Sequence, residues 1–208
     1  KIKSNIIKIN KKNYQHLIKN INNRYFQSKG NIENMAFAYM IVKKLGVKDS
    51  VVLKALNNFR GLPHRQEITL SNKNLTCIND SKATSFDACM QSLTNFNKIY
   101  WIVGGMPKQK DSFNLKNVKH KIIKAYIIGN NANFFKKQIN KKVPFTISHN
   151  IKNAIENIIN DIKKNKIRNC NVLLSPAAAS FDQFSNFEER GFYFNNLVKK
   201  RFKKISNV

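Results

Sequence analysis

The sequence predicts an α/β protein: a Rossmann-like, mostly parallel sheet with helices on both faces, preceded by a small helical segment. Two observations carry this. From residue 66 onwards short apolar runs alternate with stretches of helical periodicity, as repeated βα units require. Several of those runs, such as IYWIV (99–103) and NVLL (171–174), are apolar at nearly every position, which suits strands buried on both faces.

Residues 1–29 are polar and lysine-rich, with short apolar pieces such as NIIKI and RYF, and read as edge strands or a frayed start. The first residue is Lys1, not methionine, so the chain is expected to begin partway through something larger. In GNIENMAFAYMIVKKLG, from Gly30, the residues Ile32, Met35, Ala36, Ala38, Tyr39, Ile41 and Val42 recur near helical spacing, and Gly46 supplies a stop. A second helix fits Lys48 to Phe59. This αα-hairpin is too small to bury both faces alone and should pack on something else.

GLPHRQE (61–67) is a connector, since Gly61 and Pro63 break regular structure. QEITL and NLTCIN flank a turn at Ser71–Lys73 and form a hairpin. Then follow a helix from Ser85 to Asn95, strand 99–105 and a helix over 115–120. Strand 124–129, helix 131–139, strand 143–148 and a helix from Asn150 to Lys163 come next. Strand 171–175 and a last helix from Asn186 to Phe202 complete the pattern.

With 208 residues, 42% hydrophobic and 11% aromatic, the chain can bury a core and is not of disordered composition. No apolar run approaches the roughly 18–20 residues needed to span a bilayer. The start lacks the apolar core of a secretory signal. Three cysteines (Cys77, Cys89, Cys170) without metal-ligand spacing read as buried thiols in a reducing, cytoplasmic compartment. The net charge of +27 suggests a polyanionic partner. Yet only six of the 38 basic residues are arginine, and the lysines are spread along the chain without interleaved aromatics. A solvated, compositionally biased surface is the preferred reading; a basic module binding nucleic acid is the rival.

Three strand ends carry unusual residues and should share the carboxyl edge of the parallel sheet, where open α/β folds bind ligands. Asn79-Asp80-Ser81-Lys82-Ala83-Thr84 offers an acceptor, a cation and a hydroxyl beside a helix N-terminus, which itself favours anions. A simple N-cap explains one of these residues, but Lys82 at the positive end of a helix opposes the dipole. Gly104-Gly105-Met106-Pro107-Lys108 lets backbone approach a ligand and adds a cation. LLSPAAASFDQFSNFEERG (173–191) ends a strand in small residues, with Ser180 and the amides leading to Phe187 able to hold a carboxylate. Glu188 and Glu189 fit the first turn of the last helix, and Asp182 and Gln183 read as supports of the turn. The histidines form no metal cluster. No G-x-S-x-G or G-x-x-x-x-G-K-[ST] occurs, so neither a hydrolase elbow nor a phosphate loop lies in this chain.

Read in order, HR (64–65), NDSKAT (79–84), GG-x-x-K (104–108) and LSPAAASFDQF-x-NFEERG (174–191) resemble the Mur ligase family, in particular its D-glutamate-adding branch. The last motif is the most specific. The resemblance implies a parent of three domains, of which this chain holds the end of the central ATP-binding domain (1–61) and the complete C-terminal, amino-acid-binding domain (62–208). It implies ATP-dependent joining of D-glutamate to UDP-N-acetylmuramoyl-L-alanine in peptidoglycan synthesis, through an acyl phosphate. It also implies ATP and Mg²⁺ held largely by upstream sequence, a monomer without nucleic-acid or membrane partners, and no activity from this portion alone.

By position, the resemblance assigns Asn31, Asn34, Arg65 and Asp80 to ATP. Asn31 and Asn34 match an H-N-x-x-N segment whose histidine is Gly30 here. Arg65, reaching the phosphates, and Lys82 are the catalytic candidates. Thr84, Lys108, Ser180 and Phe187 fall to D-glutamate, with Lys110 able to replace Lys108 if the loop is shifted, and no metal ligand is assigned.

Overall fold

A computed structural model describes residues 6–27, 29–109 and 111–202. The chain divides after Gly61 into two compact units, 1–61 and 62–208.

In the first unit a 3-10 turn at Lys11–Asn13, a single helical turn α1 (Gln15–Ile18) and a second 3-10 turn at Arg24–Gln27 lead into helices α2 (Lys29–Lys44) and α3 (Asp49–Asn58). The expected edge strands are therefore replaced by short helical turns. Asparagine side chains explain the change, because they satisfy backbone groups locally in place of a strand ladder. Asn10 accepts from Lys12 N–H at 3.0 Å while Asn13 accepts from Asn10 N–H at 2.8 Å. Asn23 donates to the carbonyls of Leu56 and Phe59. Leu17 and Phe26 from these turns bury against Met35, Tyr39 and Val52, so the hairpin gains a small core. Gly46, at φ +81°, ends α2 as the left-handed stop foreseen for it. On the other side of α2, Phe37, Ile41 and Leu45 form an exposed stripe at i, i+4, i+8.

The second unit is a six-stranded sheet in the order β1-β2-β6-β3-β4-β5. Its strands are β1 (Glu67–Ser71), β2 (Leu75–Asn79), β3 (Ile99–Gly104), β4 (Ile122–Ile128), β5 (Phe145–His149) and β6 (Cys170–Leu174). Only β1 is antiparallel, joined to β2 by a hairpin in which Asn72 accepts from the amides of Asn74 and Leu75. The other strands are parallel and connected by α4 (Phe86–Asn95), α5 (Ala132–Ile139) and α6 (Ile151–Asn165), with α7 (Phe187–Phe202) closing the chain. Helices α4 and α5 pack on one face and α6 and α7 on the other, giving two buried layers around the wholly buried β3.

One expected helix is absent. Residues 115–120 form irregular chain ending in a 3-10 turn, Lys119–Lys121. The run is too short to offset the cost of helix nucleation, and its apolar residues serve the core instead. Phe113, Leu115 and Val118 are buried, and Phe113 stacks on Phe86 with ring centroids 4.3 Å apart.

Candidate functional site

The parallel strands β2, β6, β3, β4 and β5 end on one edge of the sheet, and the loop after β6 touches the loop after every other one. Proline 176 stops β6, and its carbonyl accepts from Gly104 N–H at 2.9 Å. Ala179 and Met106 exchange two backbone hydrogen bonds of 2.9 Å, tying in the loop after β3. Asp182 accepts from Asn130 N–H at 2.9 Å after β4, and Gln183 donates to the His149 carbonyl at 2.9 Å after β5. These two side chains thus support the turn. Such close approach needs bare backbone: a Cβ on Gly104 would lie 2.0 Å from the Ile128 carbonyl oxygen, and one on Gly105 2.3 Å from that of Ala179.

The loop after β2 is joined by two buried networks. Asp80 accepts from Ser92 Oγ at 2.6 Å, from Ser175 Oγ at 2.8 Å and from Gln66 N–H at 3.3 Å. Burial pushes its carboxyl up to about 6 against the lowering effect of these donors and of Arg65. Both carboxylate oxygens of Asp80 are engaged within the protein. The second network centres on Arg190, which is fully buried. Its Nε donates to Ser81 Oγ at 2.9 Å, its Nη2 to the Ser81 carbonyl at 2.8 Å and its Nη1 to the Ala178 carbonyl at 3.0 Å. Ser81 Oγ donates in turn to the Phe187 carbonyl at 2.8 Å. Burial lowers the guanidinium to about 10, so it stays charged at neutral pH. Sequence reasoning overlooked Arg190, although a signal was there: an arginine in the first turn of a helix opposes the dipole unless something else holds it.

The N-terminal end of α4 has its own cap. Ser85 accepts from Ala88 N–H at 3.4 Å, and Asp111 accepts from Phe86 N–H at 3.2 Å. Lys82 and Thr84 therefore lie ahead of the helix without a capping duty. Lys82 is exposed, its Nζ 3.9 Å above the Phe187 ring, a cation–π contact. Lys108 and Arg65 are also exposed, and none of the three cations meets a carboxylate in an ion pair among the described residues. Ser180 is buried, and its hydroxyl has no hydrogen bond to another described residue. Lys110 lies outside the described residues. Asn186 caps α7 through Glu189 N–H at 2.7 Å, and the Glu189 carboxylate accepts from Ser185 N–H at 2.8 Å. Glu189 thus has the structural role expected of it.

The connector is held by His64, another group that sequence reasoning left without a role. His64 is buried at φ +59°, its ring over Gly191, where a Cβ would lie 2.2 Å from Nδ1. Asn79 donates to His64 Nδ1 at 2.9 Å, and the His64 carbonyl accepts from Lys82 N–H at 3.0 Å. Arg65 and Lys82 are thereby anchored at one point. In the first unit, Asn31 donates to the Tyr25 carbonyl at 2.7 Å and Asn34 is exposed. No trio of His, Cys, Asp or Glu able to hold a metal ion occurs among the described residues, and no described helix is long and apolar enough to cross a membrane.

The same fold occurs in solved ligase structures. The chain superposes on UDP-N-acetylmuramate–alanine ligase MurC of Thermotoga maritima with a TM-score of 0.59 at 17% identity, over 85% of this chain and 38% of that one. For MurF of Acinetobacter baumannii the TM-score is 0.55 at 15% identity, over 83% of this chain and 38% of that one. In sequence it is 36% identical over 184 residues to the UDP-N-acetylmuramoylalanine–D-glutamate ligase of Rickettsia felis, covering 88% of this chain and 41% of the relative. The namesake from Rhodospirillum rubrum is 38% identical over 168 residues, or 81% of this chain and 35% of the relative. No protein-family model matches. The chain belongs to the Mur ligase family, and matches the C-terminal part of its D-glutamate-adding members. It spans about two fifths or less of the length of these relatives.

Proposed function

We propose that residues 62–208 hold D-glutamate for ATP-dependent ligation to UDP-N-acetylmuramoyl-L-alanine, as the amino-acid-binding part of a cytoplasmic ligase of peptidoglycan synthesis. The observation that carries the reading is the placing of unpaired Lys82 and Lys108, the hydroxyl of Ser180 and the first turn of α7 along one sheet edge. A dicarboxylate satisfies all of them but Lys82, which is left for phosphate. Lys108 and Thr84 take one carboxylate; Ser180 and the Phe187 backbone take the other, at a helix N-terminus that favours negative charge. The amine is then left free as a nucleophile.

ATP supplies the phosphoryl group that converts the acceptor's carboxylate into an acyl phosphate. The amine of D-glutamate attacks the acyl carbon, the C–N bond forms as the C–OP bond breaks, and the amine's proton is lost with phosphate departure. Lys82 and Arg65 supply positive charge toward the oxygens on which charge accumulates. An exposed, unpaired guanidinium on a buried His64 anchor suits a phosphate partner. Asn31 and Asn34 belong to the proposed adenine side, in residues 1–61, which we take as the end of the central domain. Asp80 fits direct contact with a ribose less well than the others, because its oxygens are engaged; it bears on that side through Gln66. Mg²⁺ has no fitting ligand set among the described residues. The chain is taken to be a monomer and, having no G-x-x-x-x-G-K-[ST] sequence, to be inactive by itself.

Saturation-transfer NMR on the 208-residue chain tests the reading. D-glutamate should show transfer that Lys108→Ala abolishes, with L-glutamate markedly weaker. Absence of transfer at millimolar D-glutamate, together with salt-dependent DNA binding, would favour the nucleic-acid alternative instead.

A further inference from the structure

Three strand-end loops meet at one side chain, Arg190. Its guanidinium binds Ser81 through both carbonyl and hydroxyl, and Ala178 through its carbonyl. Gly105, from the third loop, lies close enough that a Cβ there would sit 3.4 Å from Nη1. Ser81 directly precedes Lys82 and stands three residues before Thr84. Ala178 stands two residues before Ser180. The Ser81 hydroxyl, which accepts from Arg190 Nε, passes the connection to the carbonyl of Phe187. Thr84, Ser180 and Phe187, three of the groups proposed to hold the two carboxylates, thus belong to segments bonded to Arg190 directly or through Ser81, and the Lys108 loop passes beside it at Gly105.

We infer that Arg190 is a specificity-determining positioning residue: it sets the span between the two carboxylate clamps and so the length of dicarboxylate accepted. This rests on the D-glutamate reading above. A guanidinium suits the task because its donors lie in a fixed planar fork, whereas a lysine ammonium is a single mobile point charge. Its placement in the first turn of α7 is electrostatically unfavourable by itself. The hydrogen bonds to two loops offset that penalty, and they are bonds between site segments rather than within a helix. Arg190 touches neither carboxylate in this scheme and acts through Ser81 and Ala178.

The test compares D-glutamate with D-aspartate, one methylene shorter, and D-2-aminoadipate, one longer, by NMR-measured affinity on the 208-residue chain. Arg190→Lys probes the fork directly. Ser81→Ala is the milder companion, since Arg190 keeps both carbonyl partners and the fold is retained, as a melting curve verifies. The wild type should prefer D-glutamate over both homologues, and either folded variant should reduce that preference by about tenfold, the scale one methylene supports. A merely structural role would weaken all three ligands alike and leave the ratios untouched; that result overturns the inference while the D-glutamate reading stands. Failure of the wild type to bind any of the three would instead remove the D-glutamate reading, and the inference with it.

Discussion

The two proposed carboxylate clamps are built differently. The loop after β6 is fastened to every neighbouring strand end, with Ser180 buried among alanines and Asp182 and Gln183 bracing the turn. The segment after β3 is fastened at Met106 and again at Asp111, and between them the Lys108 side chain is exposed and unpaired among the described residues. One clamp is preformed wall; the other is a long, solvated arm. Small residues and backbone amides give shape to a pocket, and shape demands exact neighbours. A lysine gives charge at a distance and tolerates irregular surroundings.

That contrast can be broken by removing what holds the wall. Arg190→Met leaves two buried carbonyls and a hydroxyl without their donor and should cost about 4 kcal/mol of stability in urea unfolding, at the upper end for a point change. Protonation acts on the same wall through Asp80. Its folded pKa of about 6 lies above the ordinary 3.8. The folded state therefore binds the proton more tightly, and stability falls as pH rises from about 4 to about 6. The contribution is about 3 kcal/mol, present below pH 4 and lost above pH 6. Asp80→Asn should flatten this part of the pH–stability profile, measured by thermal melting in a pH series.

Gly104→Ala tests the close packing of strand ends. Its φ of +135° and the Ile128 carbonyl in the path of a Cβ leave no cheap relaxation, so a loss of about 2 kcal/mol is expected in chemical denaturation. Lys108→Ala marks the opposite extreme. Stability should stay within about 0.5 kcal/mol of wild type while D-glutamate transfer disappears.

The division between wall and arm also marks what a sequence reader could see. The parallel sheet was legible because its strands are apolar runs ended by glycine, proline or small polar residues, and because helical periodicity intervenes each time. The candidate strand ends were legible through residues that violate a local rule, such as Lys82 ahead of a helix. Residues 115–120 misled, since Leu115 and Val118 have helical spacing but pack into the buried cluster that holds Phe86 and Phe113. Turns in place of strands before residue 29 depend on asparagine side chains finding distant carbonyls, as Asn23 does with Leu56 and Phe59. Arg190 shows in the sequence only as a residue opposing the helix dipole, and neither it nor His64 could be given its partners, because only the fold brings Ser81 to Arg190 or Gly191 to His64. The inward turn of Asp80 likewise depends on Ser92 and Ser175, on a different helix and the end of a different strand.

The most direct test is to titrate the ¹⁵N-labelled chain with D-glutamate and record which backbone amides move. The account predicts saturable shifts at Thr84, Lys108, Ser180 and Phe187, with the largest change on the Lys108 arm as it closes on a wall already formed. Shifts confined to other surfaces, or a wall that reorganises while the Lys108 segment stays still, would contradict it.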